Sequence, residues 1–172
     1  MRKKALWGLL AVVAAAGVYA ATVLATPQSG VTTSTISQVS SFPAFNVTAK
    51  AHPASIWRTR LKAKGNSDLY LIDNVLSPGG TTGWHSHAGP SLIFVIRGQV
   101  TNYLADDPSC TPHVYGPKQA FFDTGGDSVH MLRNEGTVDA ETIAVQVLPQ
   151  GAVRKIDMAD PGNCHFPTSQ GG

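Results

Sequence analysis

Residues 79–91 read Gly-Gly-Thr-Thr-Gly-Trp-His-Ser-His-Ala-Gly-Pro-Ser, and the apolar run 92–96 and then Arg97-Gly98 follow them. His85 and His87 are two positions apart, and side chains two apart on a β-strand point to the same face. Their imidazoles can therefore approach one point, where a third histidine would complete a three-nitrogen face on a divalent metal. A glycine-rich turn before the pair and a β-forming run after it indicate that the pair lies on a strand.

Short strands separated by turn signals recur along the rest of the chain. The 17 glycines and 11 prolines among 172 residues favour an architecture with many turns, and no convincing helix follows residue 25. Residues 57–64 alternate so that one face is basic and solvated and the other faces a core. We predict strands at 57–64, 69–76, 91–96, 99–104, 121–122, 129–132 and 142–148. This pattern indicates one all-β domain, a sandwich or a barrel.

The first 25 residues resemble a leader. Arg2-Lys3-Lys4 precede an uncharged run at 5–25, and Val23-Leu24-Ala25 suits a signal-peptidase site. A run of about 20 residues can also span a bilayer. The segment is therefore a signal peptide or a membrane anchor. A buried core helix is a third interpretation, which the basic start and the polar continuation disfavour. We expect a secreted protein, or one anchored in the membrane with its domain outside the cytoplasm.

The remaining chain divides by composition. Residues 26–48 begin with an uncharged Thr/Ser-rich stretch and are predicted to be a flexible linker. We predict that residues 49–150 form the all-β domain and that residues 151–172 form a C-terminal tail. Three of the 13 basic residues lie in the leader, and the other 10 nearly balance 11 acidic residues, so we expect no nucleic-acid partner.

Cys110 and Cys164 are the only cysteines. An even number of cysteines in an exported protein indicates a disulfide. We predict that this bond pins the C-terminal tail to the body of the domain. Two unpaired surface thiols are the alternative, which export disfavours.

The best third ligand is His130, which lies on a predicted strand just past the glycine turn at 125–126, as the histidine pair does. At this point the sequence resembles the cupin family. The first cupin motif is matched at Gly79, His85, His87 and Gly98, and the end of the second motif is matched at His130 and Asn134. The resemblance covers roughly residues 68–148. The second motif is looser, with Gln119, Gly125 and Asp127 at positions where the family has other residues.

The resemblance implies a single-domain jelly-roll β-barrel with a metal held near its axis by His85, His87 and His130. The family also forms dimers frequently, so a homodimer is an expectation that the sequence itself does not show. Ser91 stands where the family usually has a metal-binding Glu. The expected site therefore has three imidazoles and no carboxylate. Alternatively, Ser91 indicates a pocket that has lost its metal, or its hydroxyl contacts a metal-bound water.

Such a site would favour chelation of a small organic anion, with oxygen activation if the metal is Fe(II), which we favour over Zn, Mn or Ni. Three-histidine cupins that oxidise thiols or cleave carbon–carbon bonds are similar. The first alternative is a non-catalytic module that binds or senses a small molecule in the cell envelope. The second is a structural extracellular protein whose histidines merely form hydrogen bonds. A substrate-sized cavity beside the imidazoles would favour the enzyme.

Other side chains are weaker candidates. Asp123 and Glu141 could each supply a carboxylate if their strands aim inward. Tyr103 is better explained by core packing than as a pocket phenol, and Asn134 by bonding to turn backbone. We expect surface or structural roles for His52, His113 and His165. Core and pocket walls are predicted to come from Leu92, Phe94, Ile96, Phe121 and Phe122. We find no nucleophile elbow and no phosphate-binding glycine loop.

Overall fold

A computed structural model describes residues 24–51 and 56–166, within which all the regular elements are β-strands. They are β1 (Ser29–Phe42), β2 (Phe45–Lys50), β3 (Arg58–Ala63), β4 (Ser67–Thr81), β5 (His85–Ser86), β6 (Ser91–Arg97), β7 (Val100–Leu104), β8 (His113–Tyr115), β9 (Ala120–Asp123), β10 (His130–Arg133), β11 (Ala140–Pro149) and β12 (Ile156–Asp157). The leader predicted at 1–25 lies outside the described residues except for its last two. Within the described ranges, no helix has the length and hydrophobicity that a membrane span requires.

The strands form a nearly closed barrel. One half is ordered β1-β4-β11-β6-β9 and the other β12-β5-β10-β7-β8, and every pairing is antiparallel. The halves are joined where Arg133 on β10 pairs with Thr81 on β4. Between β6 and β7, Gly98 has a φ of +67° and lies so close to the Asp139 carbonyl that a Cβ would collide with it. The all-β jelly-roll architecture predicted from the sequence is confirmed.

Inward-facing side chains form rows that run across neighbouring strands. Ile93 on β6 pairs with Phe121 on β9 and Ala144 on β11, and all three are buried in the main apolar core. The rest of the buried core comprises Ile72, Leu76, Val95, Val100, Leu132 and Ala140. The adjacent row is polar and is described with the site below.

The prediction of core residues on β6 was wrong by one position. Phe94 and Ile96 are 40% and 49% exposed, whereas Ile93 and Val95 are buried. The run is apolar on both faces, so its composition does not distinguish inward from outward positions. On β9, Phe121 is buried as predicted and Phe122 is 74% exposed.

The segment that we predicted as a flexible linker contains a strand of the barrel. β1 pairs along most of β4, from Ser29 opposite Thr81 to Phe42 opposite Ser67. The linker prediction is therefore wrong for these residues. An edge strand is stabilised by backbone hydrogen bonds to its neighbour. A Thr/Ser-rich composition permits these bonds but does not predict them.

The basic strand β3 belongs to a separate two-stranded sheet with β2. Its basic face is exposed, as predicted. The opposite face is not part of the core, because Leu61 is 60% exposed. The alternation therefore predicted a strand correctly. The prediction that this strand packs on the core was wrong.

The C-terminal tail is fixed to the body by the predicted disulfide between Cys110 and Cys164, whose Cα atoms are 5.2 Å apart. The Asn163 side-chain amide donates to the Leu104 carbonyl at 2.9 Å. Phe166 packs edge-on against Tyr103, with ring centroids 4.9 Å apart. A disulfide is consistent with an extracytoplasmic location.

Candidate metal centre

Three histidines from two distant segments meet inside the barrel. His85 lies on β5, His87 just beyond it, and His130 begins β10 directly opposite His85. Their candidate ligand atoms all lie within 4.8 Å of one another. Two imidazole nitrogens on one ion are at most about 4.2 Å apart, because each lies about 2.1 Å from the ion. Small rotations of the rings would bring the cluster to that size, so the three histidines could hold a metal ion.

Each of the three rings is held through its Nδ1 atom by an oxygen. The pairs are His85 with the Gly83 carbonyl at 2.9 Å, His87 with the Arg154 carbonyl at 2.6 Å, and His130 with Asn102 Oδ1 at 3.1 Å. Carbonyl and amide oxygens only accept hydrogen bonds, so each Nδ1 carries the proton. For His87 the short contact to the Arg154 carbonyl decides this, because the Gln146 amide nitrogen lies farther from Nδ1, at 3.3 Å. Each Nε2 therefore keeps its lone pair, which is the form of imidazole that binds metals.

Burial keeps the three imidazoles neutral. Desolvation lowers the pKa of His130 to about 3, and the neighbouring His87 lowers it further. Desolvation also lowers the pKa of His85 well below its usual value, with His130 as the next contribution. The pKa of His87 is lowered by burial too, against the opposing effect of its bond to the Arg154 carbonyl.

A polar row of side chains lies next to the histidines. Ser91 on β6 pairs with Asp123 on β9 on one side and with Gln146 on β11 on the other. All three are buried, and the Gln146 amide donates to Ser91 Oγ at 3.0 Å. Asp123 Oδ2 lies 3.7 Å from Nε2 of His87 and 3.7 Å from Nε2 of His130. The row therefore brings a carboxylate to the histidines although β6 itself carries a serine.

The cavity beside the imidazoles is small, at about 40 Å³. Cavities that bind drug-sized ligands measure about 300–1,000 Å³. Its lining includes His85, His87, His130, Gln146, Arg154 and Lys155. The space suits an ion with a few waters or a molecule of a few heavy atoms.

Over most of its length the chain superposes on the polyketide cyclase RemF from Streptomyces resistomycificus. The TM-score is 0.50 and the sequence identity 19%, over 89% of this chain and 90% of that one. The fold is that of a cupin. An identity this low bears on the fold alone and not on the activity.

Two looser likenesses extend over about half of this chain. One is to an uncharacterized protein with a double-stranded β-helix domain from Klebsiella pneumoniae, with 18% identity over 52% of this chain and 75% of that one and a TM-score of 0.44. The other is to an oxalate oxidase in complex with glycolate, with 18% identity over 45% and 41% and a TM-score of 0.41. No protein-family model matches the sequence, and no curated protein matches it significantly.

The remaining candidate residues lie away from the histidine cluster. Tyr103 is buried in a separate group with Trp84 and Met131, and its hydroxyl donates to Glu135 at 2.8 Å. Burial, and then the bond to Glu135, raise the pKa of Tyr103 to about 12. Core packing is therefore its role, as expected.

Asn134 bonds to turn backbone, as expected. Its amide donates to the carbonyls of Leu76 and Val138, both at 2.8 Å. Glu141 pairs with Arg97 on the outside of the barrel at 2.6 Å. His113 and His165 are not part of the cluster, and His52 lies outside the described residues.

Three residues around the site were missed or weighed too low. Asp123 could have been found from alternation, because Phe121 faces inward and a residue two positions on shares its face. Gln146 follows from the same parity along β11. Arg154 had no local signal, since it lies in the tail between β11 and β12 and reaches the site only through the fold.

Proposed function

We propose that this chain is an extracytoplasmic cupin that binds a divalent metal through Nε2 of His85, His87 and His130. The observation that carries the proposal is that three buried, neutral rings are each fixed through Nδ1. Their Nε2 lone pairs are thereby free to bind one ion at a common centre. Such orientation by a second hydrogen bond is what metal-binding histidines require.

Imidazole donors suit Fe(II), Zn and Ni, whereas Mn prefers oxygen ligands, and we favour Fe(II) because the site leaves positions open for a second reactant. When bound, the metal would supply Lewis acidity and, as Fe(II), oxygen activation for dioxygenation of a chelated small organic anion. The chain's own contribution is to orient the rings and to bury them, which limits water in the cavity.

The charge around the cavity supports an anionic ligand. Three neutral imidazoles and the single nearby carboxylate of Asp123 leave a divalent ion with a net positive charge, and Arg154 and Lys155 line the same cavity. Arg154 is held there beside Gln146, at 3.5 Å from its amide oxygen. An arginine can bind a carboxylate through two parallel hydrogen bonds, so Arg154 is suited to orient such a ligand.

The small cavity supports a second candidate function, a non-catalytic module. A space of about 40 Å³ admits no drug-sized substrate. Under this alternative the same histidines bind metal for sensing or for stability, and no turnover occurs. Consumption of oxygen by Fe(II)-loaded protein with glycolate and other two-carbon or three-carbon acids would separate the two candidates.

An extracytoplasmic location is part of the proposal. It is supported by the basic and apolar leader in the sequence and by the disulfide. The leader would hold the domain at the membrane if it is not cleaved.

The test is metal analysis of the full chain, exported by its own leader, in the wild type and in His87→Ala. His113→Ala is the matched control, because His113 lies outside the cluster. We expect about one ion per chain in the wild type and the control, and almost none in His87→Ala. Equal metal content in all three proteins, with unchanged circular dichroism, would overturn the proposal.

A further inference from the structure

We propose that Asp123 supplies a carboxylate ligand to the metal, so that the centre is three histidines and one aspartate; this rests on the metal site proposed above. The sequence alone indicated a site without a carboxylate, because Ser91 occupies the position where cupins usually have a ligating Glu. The structure places Asp123 directly across from Ser91 on the neighbouring strand. The acidic group therefore lies on β9 and not on β6, and it is buried in the same interior.

The hydrogen bonds of Asp123 are incomplete. Its Oδ1 accepts from the Gly125 backbone N–H at 3.0 Å, which fixes the side chain. Its Oδ2 is buried and finds no hydrogen-bond partner among the described residues. Within the same part of the chain, Nε2 of His130 is also buried without a partner. Unpaired buried polar atoms are costly, so two of them facing each other require an explanation.

Three acceptors face one another at this point. The Nδ1 protons of His87 and His130 are committed to Arg154 and Asn102, so each Nε2 presents a lone pair. Asp123 Oδ2 lies 3.7 Å from both of those nitrogens, which is longer than a hydrogen bond. A cation bound by all three atoms removes the repulsion and satisfies each lone pair. Two histidines and a carboxylate on one face are also the ligand set of many non-haem Fe(II) sites.

The consequence is a lower charge at the centre. With three neutral ligands the ion keeps its full charge, and with Asp123 the net charge falls by one. A carboxylate oxygen also favours Fe(II) and Mn(II) over ions that prefer sulfur donors. Arg154 lines the cavity beside the histidines and remains the cationic group for an anionic ligand.

The test compares Asp123→Asn with Asp127→Asn in the full-length oxidised protein. Asparagine keeps the oxygen that accepts from Gly125 and removes only the charge and the second carboxylate oxygen. Asp127 is exposed in the loop that follows Asp123, so its variant is a matched loss of charge. Affinity for Fe(II) and Co(II) is measured by competition with a chelator. We expect affinity to fall by at least about 100-fold in Asp123→Asn, because loss of a direct ligand should cost no less than the 10–100-fold that loss of an indirect partner costs. We expect no change in Asp127→Asn.

A second readout is the melting temperature with and without metal. Without metal, Asp123→Asn removes a buried unpaired carboxylate, and its Tm should rise by about 3 °C. With metal, its Tm should fall below that of the wild type. Unchanged affinity in Asp123→Asn, or an equal fall in Tm in both states, would overturn the role of Asp123 while His87→Ala still reports on the metal site. Failure of the wild type itself to bind metal would instead overturn the proposed function.

Discussion

Removal of the Cys110–Cys164 disulfide should lower the free energy of unfolding by an amount that depends on the number of residues between the two cysteines. The bond joins residues 54 positions apart. In the chain-entropy model, freeing a loop of this length costs about 4 kcal/mol at 25 °C. For a domain of this size the corresponding fall in melting temperature is about 8–16 °C.

The native tail should remain docked after the bond is removed. The Asn163 amide still donates to the carbonyls of Leu104 and Asp107, and Phe166 still contacts Tyr103. Arg133 also lies over the Phe166 ring, 4.2 Å from its centroid. Because these contacts survive, the expected change is lower stability without a change of fold.

The assay is thermal and urea unfolding of the oxidised wild type, the reduced wild type and a Cys110→Ala/Cys164→Ala variant. Reductant should have no further effect on the variant, which serves as the control. The near-ultraviolet circular dichroism of the folded proteins should agree. A loss of less than about 1 kcal/mol would contradict the expected effect, since the bond would then constrain the unfolded chain far less than its loop length requires.

Two further predictions concern single side chains. Asn102→Leu removes the acceptor that holds His130 Nδ1, and should weaken metal affinity by about 10–100-fold in a chelator competition with little change in fold; unchanged affinity would contradict the role given to Asn102. The Gly151 backbone N–H, and then the Ser41 hydroxyl, hold the pKa of Asp68 below its usual value. Its ionised form therefore stabilises the folded protein above that usual value, and the stabilisation is lost as the pH falls through the folded pKa. Acid denaturation should be steeper in the wild type than in Asp68→Asn, and identical acid transitions would exclude the effect.

The histidine pair and the third histidine could be predicted because local rules are sufficient for them. His85 and His87 share a face by strand alternation, and the glycine turn before His130 repeats the context of the pair. The resemblance to the cupin motifs then placed both segments in one barrel. The disulfide was predictable for a similar reason, since the chain has only two cysteines and its first 25 residues resemble a leader.

The errors arose where tertiary pairing decides the outcome. β1 has few large apolar residues, and its place in the barrel depends on backbone bonds to β4. The run at 92–96 is apolar at every position, so the sequence does not show which of its side chains face inward. In the structure Ser91 is buried, and Ile93 and Val95 lie on the same inward face. The strand β3 alternates as a half-buried strand does, yet its partner is the exposed hairpin strand β2.

Asp123, the carboxylate next to the histidines, shows most clearly that a residue placed by tertiary pairing is not predictable from local sequence. Asp123 is separated from Ser91 by more than thirty positions, and the two become neighbours only through the pairing of β6 with β9. Cross-strand register cannot be obtained from either segment alone. Arg154 likewise reaches the cavity from the tail, which the pairing of β12 with β5 brings to the histidines.

The most direct test of the metal centre is anomalous diffraction, at the absorption edge of the bound metal, from crystals of the purified protein. We expect one strong peak inside the barrel, about 2.1 Å from Nε2 of each of His85, His87 and His130. A peak bound elsewhere, or no peak while the three rings keep the arrangement described here, would contradict this expectation.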